Sequence, residues 1–188
     1  MIMTKDQTGR LIGGAFGLVF IQANAGTLPT AVATPLRLLA LAAFLGLVLF
    51  GRRRRAVPAA AAGAGTGFGR RYWYVVAAEV LGLAAGLLVI SRVLHAPQAA
   101  VGWIAFVVGV HFFGLAVAWR RPALHVLAAA LTACGAAGLV LAALDAPVVA
   151  VRVTAGVLPG ALLLASVWRP GRTDPAAPTT RVRSGTLG

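Results

Sequence analysis

With 188 residues, 60% of them hydrophobic and only 11% charged, the chain has too few polar side chains to clothe a soluble domain. Its net charge of +13 does not point to nucleic acid, because the basic residues stand in short clusters at the ends of apolar runs, the pattern by which membrane proteins fix their orientation. The single cysteine, Cys134, excludes an intramolecular disulfide and a four-thiolate zinc site within one chain.

Residues 1–10 are polar and carry Lys5 and Arg10, and the first apolar run follows over residues 11–28, close to the ~20 residues a spanning helix needs. A basic start leading to Ala23-Asn24-Ala25 also has the form of a signal peptide with an A-x-A cleavage site. Further apolar runs follow at once, so a span is the preferred reading, and the topology downstream is the same either way. The second run, 29–50, has Pro35 and Arg37 in its outer part and is stopped by Gly51 and the four arginines Arg52 to Arg55. Residues 56–69 are rich in Ala and Gly and read as a flexible cytoplasmic loop.

Arg70 and Arg71 precede the third run, 72–93, whose opening Tyr72-Trp73-Tyr74 has the character of an interfacial aromatic anchor. A short outer turn holds Arg92, His95 and Pro97. The fourth run, 101–119, carries His111 and ends at Arg120-Arg121; the fifth, 123–144, is turned back by Asp145-Ala146-Pro147. The sixth, 148–168, contains Arg152, Gly156, Pro159 and Gly160. Residues 170–188 are polar and Pro-rich, and a disordered cytoplasmic tail is expected there.

These runs predict an all-α protein: a bundle of six transmembrane helices occupying residues 1–169, with both termini on one side. Of the 17 Lys and Arg residues, only Arg37, Arg92 and Arg152 lie away from that side. The excess of positive charge marks it as cytoplasmic. The expected location is therefore a bacterial inner membrane, multi-pass, with membrane lipids as neighbours and a homodimer left open. The richness in Ala, Arg and Gly fits a high-GC bacterial source.

Apolar burial does not drive helices together in lipid; close backbone approach and polar contacts do. Gly13 and Gly17, Gly82 and Gly86, and Gly156 and Gly160 form G-x-x-x-G pairs in the first, third and sixth runs. These three helices are expected to make close contacts, with a weaker small-residue pair at Ala105 and Gly109.

A charge within a span costs about 2.5 to 3.5 kcal/mol on insertion scales. Counted from the cytoplasmic arginines at ~1.5 Å per residue, Glu79 and His111 lie about 12 and 14 Å deep. Gln22 and Asn24 lie about 18 and 21 Å deep, and Arg37 and Arg152 about 22 and 26 Å. Two layers result. The outer one, Asn24, Gln22, Arg37 and Arg152, is a candidate site for an anionic lipid headgroup or small solute; snorkelling of the two arginines accounts for it equally well. The inner one, Glu79 with His111, is a candidate for proton or ion coupling, against a packing role as an interhelical hydrogen bond. Side chains lean towards their helix N-terminus, which carries Glu79 inwards and His111 outwards. Contact between them is therefore not implied.

No H-E-x-x-H, G-x-S-x-G, P-loop or C-x-x-C pattern occurs, and no two histidines are spaced for a metal on one helix. The chain is expected to be no enzyme and to carry no metal or cofactor. At Gly109-Val110-His111-Phe112-Phe113-Gly114-Leu115, followed by Arg120-Arg121-Pro122, it resembles a group of uncharacterised small multi-span bacterial membrane proteins with a G-x-H-F segment before a basic turn. That resemblance implies weight on His111 and a bacterial source. Two functional readings stand: a small transporter-like or solute- or lipid-binding membrane protein, or a non-catalytic accessory or structural one whose intramembrane polar residues only specify packing.

Overall fold

Residues 5–53, 70–119 and 122–168 are described in the computed structural model of the chain. The predicted loop at 56–69, the predicted tail at 170–188 and the Arg120-Arg121 stop lie outside them. Among the described residues all regular structure is helical: α1 Lys5–Asn24, a 3-10 turn Ala25–Thr27, α2 Thr30–Arg53, α3 Arg70–Leu88 with a π-helical turn Val89–Val93, α4 Ala99–Trp119, α5 Pro122–Ala143, α6 Val148–Arg152, a second π-helical turn Val153–Val157, and α7 Leu158–Trp168. The last three join without a break into one rod.

Four stretches are long and apolar enough to cross a bilayer: Thr30–Phe50, Ala99–Val117, Leu124–Ala143 and Val148–Trp168. Such helices satisfy every backbone polar group internally, as hydrocarbon requires, and this is the architecture of a helical membrane protein. Helices α1 and α3 are less uniformly apolar. The first begins with Lys5, Asp6, Gln7 and Arg10, and the second begins with Arg70 and Arg71 and holds Glu79. Large side chains such as Leu39, Leu81, Val117 and Val126 face outwards, as they would towards lipid tails.

The connections follow from local chemistry. Pro29 restricts the residue before it, and Leu28 is extended (φ −81°, ψ 155°). At the ends of α3 and α5, His95 and Asp145 adopt left-handed backbone (φ 50° and 52°). After α5 this makes a Schellman closure, with Ala146 N–H donating to the Leu141 carbonyl and Asp145 N–H to that of Ala142. Pro159, fully buried, offers no N–H to the Ala155 carbonyl. The π-helical turn lies just ahead of it, where Leu158 N–H donates to Val153 instead.

The helices are arranged as a core with two flanks. The α1 helix packs along α7, and α4 along α5. At the centre Phe20 of α1, Ala105 of α4 and Ala155 of the π-helical turn converge. On one flank α2 rests on α1 and α7; on the other α3 rests on α4.

The glycines account for the closest approaches. A methyl group on Gly17 would lie 2.8 Å from the Gly160 carbonyl oxygen, and one on Gly160 would lie 2.8 Å from that of Gly17. Helix α3 does not share in this contact, contrary to the expectation that helices 1, 3 and 6 cluster. Its Gly86 receives the Trp103 indole of α4, while Gly82 has nothing within 4 Å. The tight α4–α5 seam is built on Gly102, Gly109, Gly135 and Gly138, each against the opposing backbone or, at Gly138, also against Ala155.

Candidate functional site

The residues of the first expected layer gather about the turn between α1 and α2. Gln22, in the last turn of α1, and Arg37, on α2, bond reciprocally: Gln22 Nε2 donates to the Arg37 carbonyl and Arg37 Nη2 to the Gln22 carbonyl, each at 3.1 Å. The bonds reach main-chain acceptors, so they tie the two helices together without using up side-chain charge. The Arg37 guanidinium packs against Gly26, where a methyl group would come within 3.0 Å of Nη2. Its Nε is buried and has no hydrogen-bond partner. Leaving such a donor unmet costs about 1 to 3 kcal/mol, more for a charged group.

Asn24 is turned the other way. It is 8% exposed, its Nδ2 donates to the Phe20 carbonyl at 2.9 Å, and its side chain lies directly against Gly156 in the π-helical turn. Any larger residue at position 156 would displace it. Arg152, one helical turn before Gly156, is half-buried and forms no ion pair among the described residues. The segment that carries it, α6, packs against the Ala25–Thr27 turn, as does α2 from its own side. Gln22 and Arg37 are thus brought into direct contact, whereas Asn24 and Arg152 reach the same turn from the α6 side.

The inner pair is in contact. His111 Nδ1 and Glu79 Oε2 are 2.5 Å apart, linking α4 to α3. The opposing lean of the two side chains is overcome because Nδ1 is the ring nitrogen nearer the main chain and the glutamate has the torsions to turn towards it. This is the only ion pair among the described residues, so neither Arg37 nor Arg152 has a carboxylate partner there.

The other ionisable groups stand apart. His125 lies edge-on to Phe113, ring centroids 6.2 Å apart; His95 and Asp145 are exposed in the turns that follow α3 and α5; Cys134 is partly buried on α5. Among the described residues no three His, Cys, Asp or Glu side chains group to hold a metal ion.

Three features went unread in the sequence. Arg10 donates through Nε (3.1 Å) and Nη2 to the Val167 carbonyl, placing a cation at the C-terminal end of α7. Trp103 fills the notch at Gly86 and donates from Nε1 to the Leu83 carbonyl at 3.3 Å. Thr132 has a buried Oγ1 without a partner, pressed against Gly109. The two-turn spacing of Gly102 and Gly109 is an unread signal of the α4–α5 seam, whereas nothing in the sequence signals the Arg10 contact, which spans 157 residues.

No family model matches this chain, and neither a curated protein nor a solved structure is similar to it.

Proposed function

We propose that the protein is a six-span, transporter-like membrane protein with both termini cytoplasmic, which binds an anionic group at the outer-leaflet layer around Arg37. The orientation rests on the placement of the basic residues, all but Arg37, Arg92 and Arg152 of which fall on one side of six runs. The location that goes with it is a bacterial inner membrane.

The observation that carries the binding reading is the state of the Arg37 guanidinium. It is half-buried, Nη2 is occupied by a carbonyl, Nε is buried and unmet, and no carboxylate among the described residues balances its charge. A guanidinium in low dielectric attracts an anion strongly, and its planar set of donors suits a phosphate or carboxylate. Gln22 holds it in place, and α6, which carries Arg152, packs against the adjoining turn. Either a lipid phosphate headgroup or a small free anion supplies the matching chemistry.

One observation favours the alternative, an accessory protein whose polar groups only specify packing. The Gln22 and Asn24 side-chain amides both donate to backbone carbonyls within the protein, as packing determinants do.

Thermal stability of the purified protein in a neutral detergent separates the two readings. Inorganic phosphate or phosphatidylglycerol at about a hundred times its Kd stabilises the wild type by about 2.7 kcal/mol, and Arg37→Ala abolishes the gain while remaining folded. A response to phosphate alone identifies a solute, and a response to the lipid alone identifies a headgroup. An unchanged melting temperature under every condition, with Arg37→Ala merely less stable, leaves the packing reading in its place.

A further inference from the structure

On the flank opposite Arg37, helix α3 is held to the rest of the protein through α4. The attachment is made by the Trp103 indole seated at Gly86, its Nε1 bond to the Leu83 carbonyl and the Glu79–His111 pair, with Ile90 of the π-helical turn buried against Ala99, Ala142 and Val151 at the far end. Much of the described surface of α3 outside these contacts is uncovered. Gly82 has nothing within 4 Å, and Val80, Leu81, Leu88 and Val89 are exposed. The pair itself is only partly covered, with 34% of the His111 side chain and 23% of that of Glu79 accessible.

We propose that Glu79 and His111 are a proton-binding site that controls the docking of α3 on α4. Apolar contact contributes little to helix association in lipid, so a weakly packed helix depends on its polar bonds. With the proton bound, imidazolium faces carboxylate, the seam has no net charge, and the hydrogen bond is charge-assisted, roughly twice as strong as a neutral one. When the imidazolium releases that proton to bulk solvent, the seam goes from zero to one negative charge. An unbalanced carboxylate in low dielectric is costly, and outward movement of α3 towards headgroups and water relieves it.

The surrounding charges do not substitute for the pair. On the elements packed about it stand Arg70 and Arg71 at the start of α3, Arg92 in its π-helical turn, His125 and Cys134 on α5, and Arg152 on α6. Of Arg92, His125, Cys134 and Arg152, none forms an ion pair with Glu79 or His111. Imidazole is the side chain that ordinarily changes charge between about pH 5 and 8. The sign follows from the charge balance: α3 is docked while the pair keeps its proton and released when the proton is lost. The proposal does not depend on the anion site at Arg37.

The test is a spin-label distance between Leu81→Cys and Val110→Cys, both outward-facing positions, in a Cys134→Ala background and in lipid nanodiscs. At about pH 5 a single short distance is expected, and a longer population should grow as the pH rises to about 8. Glu79→Gln should reverse the response, since the imidazolium then lacks its counter-charge at the acid end. His111→Gln should remove it. The exchanged pair, Glu79→His with His111→Glu, should retain the wild-type response and guards against loss of fold in the single variants. A wild-type distance that is the same at every pH, or a response that survives in His111→Gln, overturns the proposal.

Discussion

The α1–α7 crossing and the α3–α4 seam carry the same short motif and use it differently. In the first, Gly17 and Gly160 bring two backbones so close that a methyl group on either meets the other's carbonyl oxygen at 2.8 Å. The contact is made by main chain, continues through Gly156 against Asn24, and is closed at the end by Arg10 on the Val167 carbonyl. In the second, Gly86 admits a side chain, the Trp103 indole, and Gly82 admits nothing. What remains there is one indole bond and one ion pair, with the buried Ile90 in the π-helical turn after α3. A G-x-x-x-G pair is therefore a permission for close approach, and what exploits it depends on which surface is opposite. Main-chain contact leaves no freedom of position, whereas a seam of side chains can open.

The largest effect should come from filling the main-chain contact. Gly17→Leu must push α1 and α7 apart, because the obstructing atoms are backbone. A loss of 3 kcal/mol or more, at or beyond the upper end of ordinary overpacking costs, is expected, read as failure to purify folded or as a steep drop in melting temperature in detergent. Gly86→Leu should cost less, about 1 to 3 kcal/mol, since the Trp103 ring can swing aside. A change in Trp103 emission in a background without the other tryptophans would report it. Recovery of the wild-type distance between α3 and α4 in that variant would contradict the role given to the notch.

Smaller still is the end lock. Arg10→Ala removes a bidentate bond to the last turn of α7 and a favourable charge at a helix C-terminus, a partly exposed contact worth about 1 kcal/mol. Chemical denaturation at low and high salt would measure it. Gly82→Ala should be the mildest, neutral to about 1 kcal/mol stabilising from helix propensity alone, because no neighbour lies within 4 Å. A marked loss of stability in Gly82→Ala would mean that the bare face of α3 is covered in the membrane, and the contrast between the two seams would narrow.

The amino-acid sequence by itself determined that the chain is helical, where its helices lie and how they are punctuated. Pro29 and the Asp145-Ala146-Pro147 turn stand at helix boundaries, and the rod Val148–Trp168 coincides with the last apolar run. Helix formation is local: each backbone bond closes within its own segment, and hydrophobicity adds residue by residue. The first helix begins earlier than its apolar run, at Lys5, because a polar end can stay helical outside the hydrocarbon zone. The polar residues inside the runs, Gln22, Asn24, Arg37, Glu79, His111 and Arg152, were also legible, since a position within a run is a count of residues.

Only the tertiary structure decided which faces meet. Of three identical glycine pairs, two met each other across α1 and α7 and the third received a side chain, the deepest helix contact was α4 on α5 rather than α3 on α1, and Glu79 reached His111 against the lean of both side chains. Arg37 found a carbonyl where a carboxylate was equally conceivable, and Asn24 turned away from it to face Gly156. These outcomes depend on the rotation and tilt of each helix about its axis. Neighbouring helices set those quantities, and no count along one segment contains them.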